Sequence, residues 1–219
     1  MTKKQKLEDL PHAEWLTPHD GRWVPDGDHD TVRFEAAEVS DPDATGSRFL
    51  DCAFTGTAFE GGRLRAARFI DVWANEVRFV GTDLAETGWQ DAALIGSILA
   101  GTRAFGARLT RVTFTSCKLD TVNLRDAVLN DVTFQDCLLR GVDFGGAKLT
   151  RTSFPGSRLT QTVLAGATLD RVDLRGAELG ITIDPQTIRG AIISPAQLLD
   201  LAPHLAEALG IKVEEPPLP

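Results

Sequence analysis

The sequence predicts an all-β fold: a β-helix with square coils, closed at its C-terminal end by an α-helix. Three observations predict it: a large apolar residue at every fifth position, a small residue two positions before it, and a turn-forming residue two positions after it. This frame runs without an insertion through residues 32–181 of the 219-residue chain. With four pentapeptides to a coil, the frame corresponds to about 7.5 stacked coils.

The large positions are filled almost entirely by phenylalanine and leucine. Ten of the eleven phenylalanines share this register, and only Phe105 lies outside it. The ten are Phe34, Phe49, Phe54, Phe59, Phe69, Phe79, Phe114, Phe134, Phe144 and Phe154. An α-helix would rotate successive members by about 140° around its axis, and a strand would place them on opposite faces. A chain that turns a corner after each pentapeptide places all of them inside.

The small and turn-forming positions complete the coil. Two positions before each large residue stands alanine, glycine, serine, threonine, valine, cysteine or proline. Cys52, Cys117 and Cys137 lie there, so we interpret them as buried free thiols that fill the interior. Two positions after each large residue, glycine and aspartate predominate, and both tolerate tight turns. The coils then stack about 4.8 Å apart, and their sides, which begin with the pentapeptides of residues 34, 39, 44 and 49, are called faces 1 to 4.

Three segments resemble the A(D/N)LXX repeat of the pentapeptide-repeat family. They are Thr-Val-Asn-Leu-Arg at 121–125, Gly-Val-Asp-Phe-Gly at 141–145 and Arg-Val-Asp-Leu-Arg at 171–175. The resemblance implies a right-handed quadrilateral β-helix. It also implies a kind of partner, because the fluoroquinolone-resistance members (the MfpA and Qnr types) bind DNA gyrase, a type II topoisomerase, and dimerise.

The two ends of the frame predict caps, since terminal coils would otherwise expose apolar faces and unpaired backbone. The predicted organisation is an N-terminal capping segment at 1–31, the pentapeptide-repeat β-helix at 32–181, and a C-terminal cap at 182–219. In the first segment, Trp15 and Trp23 are expected to cover the first coil.

The C-terminal cap is predicted to be a helix. Ser194-Pro195 is an N-terminal signal and Gly210 a stop, while Pro203 would kink the helix or split it in two. Residues 211–213 are interpreted as a candidate short strand. The helix carries an apolar stripe, formed by Leu198, Leu201, Leu205 and Leu209. This stripe either caps the last coil or also forms the interface of a homodimer.

The sequence contains little that points to catalysis. The histidines, all outside the predicted shaft, are His12, His19, His29 and His204. Asp26-Gly27-Asp28-His29-Asp30 begins like a calcium loop, but Thr31 and Ala37 stand where an EF-hand needs glycine and glutamate. We therefore interpret it as a solvated acidic turn and predict no metal, cofactor or catalytic residue. An interior filled with leucine and phenylalanine leaves no substrate cavity. A metal-dependent enzyme built on the N-terminal His/Asp segment is kept as a hypothesis for function, ranked below the two binding hypotheses, a protein-interaction scaffold and binding to DNA gyrase.

The charge distribution limits the kind of partner. The net charge of −8 argues against direct binding to nucleic acid. Residues 32–181 carry 17 basic and 19 acidic side chains, and faces 1 to 4 have net charges of −2, −1, −1 and +2. An equal length of duplex DNA, roughly 36 Å, would carry roughly 21 negative charges, so the shaft as a whole is a poor imitation of DNA. A ladder of surface ion pairs is the alternative interpretation of these charges.

Several large apolar residues are predicted to point outward. Trp73, Val80, Ile95, Ile98 and Phe105 form a candidate partner patch. Alternatively, Trp73 packs over Ala74 and Phe105 over Ala104, which leaves no patch.

The leading hypothesis for function is a non-catalytic, homodimeric protein-interaction scaffold, and the second is DNA-mimic-like binding to DNA gyrase that modulates it or protects it from inhibitors. The sequence contains no run of 18 apolar residues, so no membrane-spanning helix is predicted. The charged residues after the basic N-terminus are unlike a secretory signal, which predicts a cytoplasmic location.

Overall fold

The computed structural model describes residues 6–19, 21–181 and 188–214. The chain is a parallel β-solenoid of about eight turns with a single C-terminal α-helix. This confirms the predicted β-helix with a helical cap. Within the shaft, residues 20 apart pair in register, as Phe79 does with Phe59 and Leu99; the separation differs at the two ends, where Thr17 pairs with Val32 and Val172 with Ala191.

Over the described residues, the secondary structure consists of short strands, with two 3₁₀-helices before them and one α-helix after them. The 3₁₀-helices are Leu7–Asp9 and Ala13–Trp15, and the α-helix is α1 (Pro195–Ala208). In chain order the strands are β1 (Thr17–Pro18), β2 (Asp28–Asp30), β3 (Val32–Glu35), β4 (Glu38–Ser40), β5 (Arg48–Leu50), β6 (Ala53–Thr55), β7 (Ala58–Glu60), β8 (Arg68–Ile70), β9 (Trp73–Asn75), β10 (Arg78–Val80), β11 (Gly88–Gln90), β12 (Ala93–Ile95), β13 (Ile98–Ala100), β14 (Arg108–Thr110), β15 (Thr113–Thr115), β16 (Lys118–Asp120), β17 (Val128–Asn130), β18 (Thr133–Gln135), β19 (Leu138–Arg140), β20 (Lys148–Thr150), β21 (Arg158–Thr162), β22 (Thr168–Asp170), β23 (Val172–Asp173), β24 (Glu178–Ile181) and β25 (Ala191–Ile192).

These strands form a parallel sheet on each of three faces. Face 1 carries β1-β3-β6-β9-β12-β15-β18. Face 2 carries β4-β7-β10-β13-β16-β19-β21-β24, and face 4 carries β2-β5-β8-β11-β14-β17-β20-β22. Face 3 is joined by single bridges, the first between Asp43 and Arg63. Pairing starts at Thr17 and Asp28, before the predicted boundary at residue 32. The turns are therefore about eight rather than 7.5.

Each corner of the coil is a residue in the left-handed backbone region. Every fifth residue from 26 to 176 has a φ between 43° and 78°, and 19 of these residues are not glycine. Even Arg111 adopts this conformation, although a side chain disfavours it. Its amide donates to the carbonyl of Asn130 in the next coil at 2.9 Å. The inter-coil hydrogen bonds thus hold a conformation that local preference alone would not select.

The interior consists of stacked columns of large side chains. Phe114, Phe134 and Phe154 stack with ring centroids 4.7 and 5.0 Å apart and nearly parallel planes. Leu119 and Leu139, one coil apart, are both fully buried. The predicted inward register is therefore confirmed for the shaft.

The N-terminal cap differs in part from the prediction. Trp23 covers the first coils, with its ring centroid 5.2 Å from that of Phe34 and 5.1 Å from that of Phe59. Trp15, however, is 70% exposed and covers nothing. The expectation that the histidines lie outside the shaft is wrong for His29, which stacks on Phe49 at 4.8 Å and extends that column by one coil. Its position, 20 residues before Phe49, explains this placement.

The C-terminal cap is a helix with the predicted start and end. The Ser194 hydroxyl accepts from the Gln197 amide, and the Gln197 side chain accepts from the Ser194 amide, which is a capping box. Pro203 lies inside one continuous helix, so of the two predicted alternatives, a kinked helix or two short helices, the second does not occur. No strand forms at 211–213; the added strand is β25, which pairs with β23. The chain passes Gly210 with a positive φ of 71°.

Candidate functional site

The interior of the shaft offers space for side chains only. A cavity of about 30 Å³ lies beside Ala104, where an alanine occupies a large position. A volume of this size holds about one water molecule. The interior is therefore a packed core and not a substrate pocket.

The three cysteines are buried free thiols, as predicted. Burial raises the pKa of the Cys52 thiol to about 12. The pKa of Cys137 is raised as well, by its hydrogen bond to Cys117 and by burial. Because the thiolate is the reactive form, none of them is a candidate nucleophile.

The outer surface carries a ladder of ion pairs between adjacent coils. The pairs separated by 20 residues are Asp28–Arg48, Asp43–Arg63, Asp83–Arg103, Asp91–Arg111, Asp120–Arg140, Asp131–Arg151 and Arg158–Glu178. Arg111 donates to both carboxylate oxygens of Asp91, at 2.5 and 2.6 Å. This confirms the ion-pair interpretation of the shaft charges. Because solvent screens these exposed pairs, each contributes little to the stability of the fold.

One row of carboxylates at a corner of face 4 is incompletely neutralised. It consists of Asp51, Asp71 and Asp91 in three successive coils. Arg111 lowers the pKa of Asp91 through its hydrogen bonds. The pKa of Asp71 is instead raised, first by partial burial and then by the charges of Asp91 and Asp51. Ionised Asp71 is therefore an unfavourable charge at this corner.

The predicted apolar patch is not an exposed surface. Trp73 and Ile95 are only 5% and 6% exposed. Val80, Ile98 and Phe105 are half-buried, and the guanidinium of Arg65 lies 5.2 Å from the centroid of the Phe105 ring. The expectation that all five point freely into solvent is therefore wrong for Trp73 and Ile95.

The cover over Trp73 and Ile95 is the N-terminal segment of the same chain. Residues 7–16, called the strap here, run over face 1 as the two 3₁₀-helices and the residues between and after them. The apolar side chains of the strap form one cluster with those of the shaft. Its members are Leu7, Leu10, Ala13 and Leu16 from the strap and Ala53, Trp73, Ala93 and Ile95 from the shaft. We call the four shaft residues the strap-covered surface.

The strap also brings a histidine to the acidic row. The Nδ1 atom of His12 lies 3.7 Å from Oδ1 of Asp51, and the histidine side chain is largely buried. Between strap and shaft, a solvent-open cleft of about 150 Å³ is lined by His12, Asp51, Asp71, Trp73 and their neighbours. Sequence analysis missed this arrangement. The apolar residues at a spacing of three, from Leu7 to Leu16, were the available signal.

The predicted leucine stripe of α1 is divided between two surroundings. Leu201 is 5% exposed and packs at the end of the shaft, and Gln197 beside it donates to the backbone carbonyls of Leu174 and Ala177 at 2.7 and 2.8 Å. Leu205 is half-buried, whereas Leu198 and Leu209 are exposed. The capping role of the helix is thus carried by Gln197 and Leu201.

The outer side of α1 presents apolar side chains that sequence analysis did not select. Leu199 is 75% exposed and lines a groove with Pro203, Ile211 and Val213. These residues lie outside the predicted stripe, because the 100° rotation per residue places Leu199 on a different side of the helix from Leu201.

Two further properties of the described residues bear on function. Within residues 6–19, 21–181 and 188–214, no group of three His, Cys, Asp or Glu side chains is arranged to hold a metal ion. Over the same ranges, no helix has the length and apolar character needed to cross a membrane.

The comparisons with known proteins agree with the fold. Residues 107–182 match the family model described as a pentapeptide repeat region, whereas no curated protein matches the sequence significantly. A trypsin-treated QnrB1, a plasmid-mediated fluoroquinolone resistance protein, is similar in structure at 19% identity and a TM-score of 0.57, covering 91% of this chain and 99% of that one. HetL, a pentapeptide repeat protein involved in heterocyst differentiation regulation from the cyanobacterium Nostoc sp. strain PCC 7120, is similar at 18% identity and a TM-score of 0.53 over 80% of this chain and 86% of that one. At these identities the likeness concerns the fold, and together with the family model it confirms the resemblance to pentapeptide-repeat proteins.

Proposed function

We propose that this chain, which carries the solenoid of a pentapeptide-repeat protein, is a non-catalytic rigid scaffold that binds other proteins through its outer surface. The packed interior supports this proposal, because a shaft filled by stacked phenylalanine and leucine has no room for a substrate. The outer surface, in contrast, presents regular rows of charge and a few apolar positions on a stiff backbone. A preformed surface of this kind binds without the entropic cost of ordering a flexible segment.

The outer groove of α1 forms the interface of a homodimer in this proposal. Leu199, Ile211 and Val213 are exposed apolar side chains close together at one end of the rod. Their burial against the same groove of a second copy would remove them from water, as a two-fold interface requires. The surface of the shaft is lined mainly by charged and short polar side chains, so this end is the better site for self-association.

Light scattering tests the dimer directly. A dimer has a mass of about 47 kDa, twice the chain mass of 23.7 kDa. Leu199→Asp should give the monomer mass with an unchanged circular dichroism spectrum. Leu138→Asp, which places the same charge at an exposed leucine of β19, is the matched control and should remain a dimer. A monomeric wild-type protein would contradict this part of the proposal.

A second candidate function is binding to a type II topoisomerase such as DNA gyrase. The structural likeness to QnrB1 over 91% of this chain favours it. The row of Asp51, Asp71 and Asp91 provides a local acidic surface on a shaft that is almost neutral overall. A gyrase supercoiling assay with and without ciprofloxacin tests this candidate. No effect of micromolar protein on supercoiling or on inhibition would reject it and would leave the scaffold proposal standing.

A further inference from the structure

The attachment of the strap differs from that of every coil it covers. The backbone hydrogen bonds of residues 6–16 among the described residues are local, from Asp9 to Lys6, Leu10 to Leu7, Ala13 to Leu10 and Trp15 to His12. Backbone bonds to the shaft begin only at Thr17, whose amide donates to the carbonyl of Thr31. Side-chain contacts therefore hold the strap in place, so it can open without disturbing a strand.

The strap-covered surface is also unusual for this solenoid. On face 1, Trp73 lies in register between Ala53 and Ala93 of the adjacent coils. Beyond Ala93 the same outward positions are occupied by Thr113, Thr133 and Ser153. The apolar surface is therefore confined to the coils that the strap covers. The small side chains beside the indole leave a recess for apolar groups from outside.

The strap leaves part of this recess uncovered. A cleft of about 150 Å³, open to solvent, remains between them and is lined by Leu10 and His12 of the strap and by Trp73 and Ala93 of the shaft. At its edge, His12 is the strap side chain that faces the acidic row. Asp71 stays in an unfavourable environment, with its pKa raised by partial burial and by its neighbours.

We propose that the strap-covered surface is a docking surface for a short amphipathic segment of a partner protein, and that the strap is its built-in competitor. The strap itself shows what the surface accepts: apolar residues three positions apart and a nitrogen base beside the acidic row. A better occupant carries the same apolar spacing with a lysine or arginine at the place of His12, because a permanent cation would offset the charges of Asp51 and Asp71. This inference builds on the proposed scaffold function and assigns it a surface.

The competition determines what binding experiments should show. The strap is tethered, so its effective concentration at the surface is of the millimolar order typical of short linkers. A free segment of similar intrinsic affinity therefore binds the closed protein poorly. Leu10→Asp in the full chain places a charge in the apolar cluster and should release the strap, which makes the surface accessible.

The probe is a fluorescent peptide of residues 6–16 that carries His12→Lys, and its binding is measured by anisotropy. It should bind the Leu10→Asp protein at least tenfold more tightly than the wild type. Adding Ile95→Asp to that protein should abolish binding, as should Leu10→Asp in the peptide. Higher salt should weaken binding, because the lysine pairs with the acidic row.

Hydrogen exchange of the full-length proteins makes each outcome decisive. If the strap amides of the Leu10→Asp protein exchange faster than in the wild type and the peptide still does not bind, the proposal is wrong. A strap that remains protected, or a variant that loses its β structure, would equally overturn it, since the strap would then be an integral part of the fold. Neither failure would affect the proposed homodimer, which light scattering tests separately at the other end of the rod.

Discussion

The shaft and the strap bury the same kinds of side chain against the same solenoid, yet they are attached in different ways. In the shaft, Phe79 of β10 lies on a strand that pairs with β7 on one side and β13 on the other. In the strap, Leu10 is buried, but its segment makes only local backbone hydrogen bonds. The burial of a side chain therefore does not by itself indicate how firmly its segment is held. Pairing with coils on both sides makes the shaft cooperative, whereas the strap is free to open alone.

The largest effect is expected inside the shaft, for Leu139→Ala. Leu139 is fully buried in β19 between coils, so removing it should cost about 2–5 kcal/mol of the free energy of unfolding. Leu138, its neighbour on the same strand, is 39% exposed, and Leu138→Ala should stay within about 0.5 kcal/mol of the wild type. Urea unfolding measures both, and equal losses would mean that the inward register is wrong.

A smaller and more local effect is expected for Leu10→Ala in the strap. The loss of apolar contact should weaken strap closure by about 2 kcal/mol, which corresponds to about 30-fold faster hydrogen exchange of the Leu10, Ala13 and Trp15 amides. The amides of the shaft strands should keep their exchange rates, because the strap opens before the coils do. A uniform acceleration across the shaft would show that the two regions unfold as one unit.

Filling the interior cavity should stabilise the shaft modestly. Ala104 occupies a large position beside a cavity of about 30 Å³, and at about 24 cal/mol per Å³ the cavity costs about 0.7 kcal/mol. Ala104→Val should recover part of this in thermal or urea unfolding. Ala44→Val is the control: Ala44 is fully buried at the equivalent position three coils earlier and does not line the cavity. That substitution should destabilise by overpacking, and a gain there would contradict the assignment of the cavity.

The smallest effects are expected from two aspartates whose pKa values move in opposite directions. Hydrogen bonds from Thr45 and Arg63 lower the pKa of Asp43 to about 2. Its ionised form therefore stabilises the fold above the usual aspartate range, and this contribution is lost as the pH falls towards 2. The pKa of Asp71, beneath the edge of the strap, is raised, so ionised Asp71 is destabilising near neutral pH and the penalty disappears in acid.

Unfolding midpoints measured from pH 7 to pH 2 should separate the two aspartates. Asp43→Asn should lower the midpoint at pH 7 and have little effect near pH 2. Asp71→Asn should raise the midpoint slightly at pH 7, and this difference should shrink as the pH falls through the raised pKa of Asp71 and be absent below the ordinary aspartate pKa. The same sign for both variants at pH 7 would contradict the assigned causes.

Most of the shaft could be predicted because each pentapeptide repeats the same local physical problem. Phe34, Leu119 and Leu139 lie inside for the same reason, namely a position in a period that only a cornered chain explains. The same period places His29 inside, because it stands 20 residues before Phe49 and stacks on that ring. The interior can thus be derived residue by residue, including the histidine with which the Phe49 column begins.

The candidate surfaces were less predictable, because they depend on which segments cover which faces. Trp73 and Ile95 were identified as unusual outward residues, but the sequence does not indicate that residues 7–16 return over face 1. In α1, Leu201 and Leu199 differ by two positions along the chain and have opposite environments. Leu201 is buried and Leu199 is exposed because only the Leu201 side of the helix lies against the last coil.

The coil can be derived from the amino-acid order alone, because size and turn preference recur every five residues and each repeat contacts only its neighbours. The arrangement of the two ends, where nothing repeats, depends on how the folded parts pack against each other. The contact of the strap with Trp73 joins residues about 60 positions apart without a backbone ladder, and such a contact leaves no period in the sequence. Its specificity comes from the shapes of two surfaces that exist only after the shaft has folded.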